Sequence, residues 1–180
     1  MKQHDILQDV LLSSETNEWY TPPKYVDLAR VLMGHIDLDP ASCQFANDNY
    51  VKAGKIYTVA DNGLKRNWHG NVWLNPPYGK TGNRSNQEIW ALKAIYEVKN
   101  GLALQAVILL KAAIGYNWFD RLAMQYPMCI KTGLIKFIKP DGTTGGKAKL
   151  GTAFMYLPGG YGYGQAEFRH VFKDIGWFNF

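Results

Sequence analysis

The sequence predicts an α/β fold, an open and mostly parallel sheet with an antiparallel hairpin at its edge. Short apolar runs alternate with helical patterns over most of the chain. One run, "LQAVILLKAA", is apolar without interruption, as a strand buried on both faces of a parallel sheet must be. A last run, "LGTAFMYLP", follows a Lys/Gly loop and can pair back antiparallel.

Taken in order, the first 17 residues are mixed and polar and read as a flexible tail. "TPPKYVDLARVLMG" predicts a helix, with Thr21 as N-cap, prolines in the first turn and Gly34 at its end. "HIDLDP" predicts a short strand closing on two acids and a proline, followed by an irregular stretch from Ala41 to Lys55. "KIYTVADNGL" holds a short strand and a turn at Asp61-Asn62-Gly63, and "GNVWLNPP" holds another strand. The apolar spacing of "NQEIWALKAIYEVKNG" is helical, and Asn100-Gly101 closes it. "YNWFDRLAMQY" predicts a further helix and "MCIKTGLIKFI" one or two strands. No repeat or linker divides the chain, so residues 18–180 are expected to form one domain.

Composition narrows the function classes. At 47% hydrophobic and 19% charged the chain can bury a real core. It has no long apolar span and no signal-peptide pattern, so the expectation is a soluble cytoplasmic protein. Cys43 and Cys129 are far apart and the four histidines are scattered, which predicts free thiols and no metal site. The net charge of +5 suits a polyanionic partner. Its distribution says more: residues 131–149 carry Lys131, Lys136, Lys139, Lys147 and Lys149 against Asp141.

The stretch with chemical content is "VWLNPPYGK". Prolines stop the strand after Leu74, because they donate no N–H and fix φ. They also make Asn75-Pro76-Pro77-Tyr78 rigid. The Asn75 amide oxygen and an adjacent peptide carbonyl can both accept from one exocyclic amino group. That draws the nitrogen lone pair out of conjugation and makes it a better nucleophile. Tyr78 offers a face on which a base stacks, a contact worth about 1–3 kcal/mol. These are the parts needed to hold an amino-bearing base for attack on an electrophilic methyl group. The aromatics Trp68, Trp73, Trp90, Phe119, Phe137 and Phe154 are read as core.

Four segments in order, "NEWYTPPKYVDLA", "IDLDPAS", "YTVADNGLKRNW" and "GNVWLNPPYGK", resemble the phage-type DNA N6-adenine methyltransferases. The likeness runs over roughly residues 17–160 and implies a Rossmann-like fold using S-adenosyl-L-methionine. It places Trp19, Tyr20, Thr21 and Pro22 against the methionine part of that cofactor. Asp39, with Pro40 and Ala41, falls near the methionine ammonium, Asp61 near the adenine end, and Asn75 counts among the cofactor-contacting residues as well. Asn75, Pro76, Pro77 and Tyr78 take the catalytic roles. Here "DPASCQF" stands where larger methyltransferases carry a Gly-rich loop. Asp48 is the candidate for the cofactor ribose, and strand alternation leaves Asp37 and Asp39 both open as the ammonium partner.

DNA is the implied partner, and an adenine inside a duplex must be flipped out to react. No separate target-recognition domain is expected within these residues. Two segments are expected to meet DNA: "GKTGNRSNQ", with Lys80, Arg84 and Asn86, and the Lys/Gly loop, with Lys139, Lys147 and Lys149. If phage-encoded, the protein works in the host cytoplasm. Two other readings stay open on the same residues, an RNA-base or protein-glutamine methyltransferase and a catalytically silent DNA-binding module. The target sequence, strand preference and oligomeric state are not legible.

Overall fold

The computed structural model of the protein describes residues 19–147, 151–160 and 164–180, and only the backbone of 145–147. The expected tail, residues 1–17, lies outside them.

Helix α1 (Pro23–Met33) starts the described fold. Its N-cap is Pro22 and no side chain caps it; the Thr21 hydroxyl, expected as the cap, is buried without a partner among the described residues. Strand β1 (Leu38–Asp39) leads into α2 (Gln44–Ala46) and a π-helical turn at Asn47–Val51, within the stretch expected to be irregular. Asn47 braces that turn, its amide bonding both the N–H and the carbonyl of Ala53. Strands β2 (Lys55–Ile56) and β3 (Asn71–Leu74) follow. A small hairpin, β4 (Lys80–Thr81) and β5 (Arg84–Ser85), then leads into α3 (Asn86–Lys99). Strand β6 (Gln105–Lys111), α4 (Asn117–Gln125) and β7 (Met128–Lys131) come next. A second hairpin, β8 (Lys136–Ile138) and β9 (Thr144–Lys147), precedes β10 (Thr152–Leu157), α5 (Gln165–Phe172) and β11 (Gly176–Phe178).

The main sheet has the order β11-β7-β10-β6-β3-β1-β2. Strands β2, β1, β3 and β6 are parallel, and β10 runs antiparallel between β6 and β7. The antiparallel strand expected at the edge is therefore internal. The edge belongs to β11, which pairs antiparallel with β7. The Lys/Gly segment forms the separate β8–β9 hairpin.

Side chains alternate across the sheet, so each face builds its own core. Val72, Leu74, Ile108 and Leu110 pack under α3 and α4 through Trp90, Ala94 and Phe119. Trp73, Val107, Leu109 and Phe154 pack under α1 and α5 through Tyr25, Val26, Phe168 and Phe172. The uninterrupted apolar run of β6 is thus buried on both faces, as the sequence predicts.

One end of the sheet is fixed by polar bonds. Asp37 Oδ2 accepts the Asn71 N–H at 2.7 Å, and Asn71 Nδ2 donates to the Met33 carbonyl. Gly70 lies so close to Asp37 that a Cβ there would meet its carboxylate at 2.2 Å. Asp37 is thereby committed to holding β1 beside β3, away from the end where the two aspartates could compete for a ligand.

Phe154 is fully buried, its ring 5.7 Å from that of Tyr25 and 5.1 Å from that of Phe172. Phe154→Ala should cost about 3–5 kcal/mol, read as a lower urea midpoint with an unchanged slope.

Candidate active site

At the carboxyl ends of β1 and β3 the chain departs to opposite sides of the sheet, to β2 from one strand and to β6 from the other. A crevice at such a switch point is where open α/β sheets take ligands. Here it is a cavity of about 590 Å³, within the range of small-molecule sites. Its walls are the loop after β1, the loop after β2, the Asn75–Tyr78 turn and the Trp19–Thr21 segment.

Asp39 ends β1 on the cavity wall and is 3% exposed. Burial pushes its carboxyl from the ordinary 3.8 up to about 7, although the Ala41 N–H and the Ser42 hydroxyl favour the charged form. A buried carboxylate with so little compensation is suited to a cationic group.

The loop after β2 closes over Pro40. A Cβ on Gly63 would lie 2.1 Å from the Pro40 carbonyl oxygen, so only glycine permits the approach. Asp61 does not line the cavity: its Oδ2 accepts both the N–H and the hydroxyl of Thr58, at 2.8 Å each. Those bonds hold its carboxyl below the usual range. It therefore shapes the loop whose residues Thr58, Asn62 and Gly63 line the wall. Asp48 is exposed, accepts a bond from Gln44 Nε2 at 2.7 Å and also lies off the cavity.

Asn75 leaves β3 at the cavity wall. Its Nδ2 donates to the Trp19 carbonyl at 3.2 Å, which fixes the amide and leaves Oδ1 buried without a donor among the described residues. An orphaned buried acceptor is destabilising by about 1–3 kcal/mol until a donor meets it. Pro76, Pro77 and Tyr78 continue the same wall. Burial pushes the Tyr78 hydroxyl up to about 12, so the ring is neutral, and Lys111 Nζ sits 4.6 Å from its centroid.

Trp19, Tyr20, Thr21, Asp39, Pro40, Ala41 and Asn75 thus come together around one cavity, whereas Pro22 and Asp61 do not line it. Sequence reading missed Tyr50, which lines it beside Tyr20, and took Trp73 and Trp90 for core. Those two tryptophans are buried and also reach the cavity, and no pattern in the sequence separates the two duties.

Of the residues expected to meet DNA, Lys80 and Arg84 stand exposed on the β4–β5 hairpin, Arg84 beside Glu88 at 3.5 Å. Asn86 does not offer a free amide. Its Nδ2 donates to the Tyr78 carbonyl at 3.1 Å, and its Oδ1 accepts from the Thr81 hydroxyl at 2.7 Å, which pins the turn behind Tyr78. Lys139 is exposed on the β8–β9 hairpin, tied to the cavity by the paired backbone bonds of Tyr20 and Ile138. Only the backbone of Lys147 is described, and Lys149 lies outside the described residues. Among the described residues no three His, Cys, Asp or Glu side chains gather to hold a metal, and no helix is long and apolar enough to cross a membrane.

A family model described as DNA N-6-adenine-methyltransferase (Dam) matches residues 8–157. A curated relative, the DNA N-6-adenine-methyltransferase of Escherichia phage T1, is 34% identical over 103 residues. That match covers 56% of this chain and 38% of the relative. No solved structure matches the chain.

The Asp39 carboxyl titrates higher in the folded chain than in the unfolded one, so folding is penalised wherever the unfolded carboxyl alone would ionise. With the cavity empty of any cation, stability should fall as pH rises from about 4 to about 7 and then level off. Asp39→Asn should flatten that interval, measured as melting temperature against pH.

Proposed function

The chain belongs to the DNA N-6-adenine-methyltransferase (Dam) family, and from that premise we propose that it transfers a methyl group from S-adenosyl-L-methionine to N6 of a flipped adenine in DNA. The single observation that carries this reading is the orphaned Oδ1 of Asn75 in the cavity wall, beside Tyr78. The α/β sheet is then read as a Rossmann-like methyltransferase fold, with residues 18–180 as one catalytic domain working in the host cytoplasm.

The cavity suits the cofactor on its own terms. Asp39 is a buried carboxylate for the ammonium, the Gly63–Pro40 approach makes a close-walled cradle, and the unpartnered Thr21 hydroxyl is a further polar group on the wall. When bound, the cofactor supplies a methyl group on a sulfonium, an electrophile that needs no metal.

The chain's own residues prepare the nucleophile. Asn75 Oδ1 and the Pro76 carbonyl accept the two N–H bonds of the adenine amino group, which localises the N6 lone pair. Asp39 and the Gly63–Pro40 cradle would hold the cofactor, which would supply its methyl group to N6 and leave as the neutral thioether that keeps the electron pair. The methylated nitrogen then gives up a proton to water, so no side chain has to act as base. Trp19 holds the Asn75 amide in register and Tyr78 stacks the base, while Asn86 fixes the turn that carries Tyr78. Lys80 and Arg84 on one hairpin and Lys139 on the other hold phosphates on either side.

Purified protein incubated with unmethylated DNA and labelled cofactor should give N6-methyladenine in digested nucleosides by mass spectrometry. Methylcytosine, or label only in RNA or protein, would overturn the assignment. Asn75→Ala should lower kcat at least about 100-fold, the scale of removing one hydrogen-bonding group from a reacting centre, with cofactor affinity kept within a few-fold. Lys80→Gln and Lys139→Gln should each weaken DNA binding and lower the slope of log K against log salt by about 1.

A further inference from the structure

We infer that Ile114 and Tyr116 form the wedge that enters the duplex where the target adenine leaves it, an inference that rests on the methylation reading above. A flipped base leaves a gap in the stack, and proteins that distort DNA fill or pry such steps with apolar side chains.

The topology puts these two residues at the right place. They lie on the loop that leaves the carboxyl end of β6, the parallel neighbour of β3, the strand that Asn75 directly follows. In the sheet order β6 stands between β3, which carries the β4–β5 hairpin, and the β10–β7 pair, which carries the β8–β9 hairpin. The loop therefore leaves the same end of the sheet as the two lysine-bearing hairpins, since β3, β6 and β7 run in one direction. Its root touches the base platform directly, since Lys111 ends β6 with its ammonium over the Tyr78 ring.

The side chains themselves are unused by the fold. Ile114 is 62% exposed and Tyr116 66% exposed, large apolar groups at the end of the sheet that phosphates are drawn to. Their turn is nonetheless firm. Gly115 adopts φ +88°, its N–H donates to Asp120 Oδ1 at 3.1 Å, and the Tyr116 N–H donates to the Ala113 carbonyl at 3.0 Å. A rigid turn flanked by two projecting apolar side chains loses little freedom on insertion. An aliphatic group can part the base step and an aromatic ring can stack on the partner left behind.

The test uses two duplexes bearing the target adenine located by sequencing the methylated DNA, one with that adenine paired and one with it opposite an abasic site. The doubly substituted Ile114→Ser/Tyr116→Ser protein should methylate the paired duplex about 10- to 100-fold more slowly, matching a flipping cost of a few kcal/mol. On the abasic duplex, where the adenine is already loose, its rate should return to within about threefold of wild type. Serine is a favoured N-cap, the position Tyr116 holds at α4, so the substitution does not threaten folding. Tyr116→Phe with Ile114→Leu should restore the paired rate, and Leu134→Ser, on another exposed apolar side chain, should leave both rates unchanged. Equal loss on both duplexes, or no loss on the paired one, overturns the wedge. A wild-type protein that methylates neither duplex overturns the methylation reading and the wedge together.

Discussion

Two parallel strands whose chain departs in opposite directions cannot be bridged at their carboxyl ends, and the proposed chemistry of this protein sits in the gap that β1 and β3 leave. Each strand delivers one polar side chain to it: Asp39 from β1 and Asn75 from β3. The other end of the same pair is sealed by Asp37, Asn71 and Met33. Two aspartates two residues apart thus serve opposite needs, one bonded into the frame and one buried at the cavity with only the Ala41 N–H and the Ser42 hydroxyl to offset its burial.

A second constraint links the cavity to the lysine-bearing face. Asn75 donates to the Trp19 carbonyl, and the next residue, Tyr20, exchanges backbone bonds with Ile138 at the root of the β8–β9 hairpin. The Asn75 amide, the segment before α1 and the hairpin therefore form one chain of contacts. On the other side Asn86 and Lys111 hold Tyr78 through its carbonyl and its ring. Under the proposed function, phosphate contacts at either hairpin would in this way be transmitted to the groups assigned to face the base.

Much of this was legible in the sequence. Periodicity located α1, α3, α4 and the doubly buried β6, because their burial repeats at helical spacing or is continuous. The rigid Asn75–Tyr78 turn was legible because its prolines restrict the backbone, whereas the sequence left Asp37 and Asp39 both open and only the bonds of Asp37 to the frame set the two apart. The place of β10 was not legible, since an apolar strand carries no mark of which neighbours it will pair with. Asp61 and Asn86 look like ligands in a sequence; in the fold, Asp61 Oδ2 accepts from Thr58 and the Asn86 amide bonds to Thr81 and Tyr78. Short polar side chains in turns bond to nearby backbone and hydroxyl groups, and only coordinates reveal which ones do so. The duty of Trp73 and Trp90 was hidden for the opposite reason, because a tryptophan large enough to fill a core also reaches its boundary.

The central claim is that Asn75 Oδ1 waits for the amino group of the base. A thermodynamic cycle addresses it directly, with wild type and Asn75→Ala each titrated with DNA carrying adenine or purine at the mapped position, in the presence of S-adenosylhomocysteine. Purine lacks the amino group, so the wild type should lose affinity on that change and Asn75→Ala should not. A coupling of about 0.5–3 kcal/mol between side chain and amino group is the predicted result. An equal loss for both proteins, with no coupling, would contradict the account.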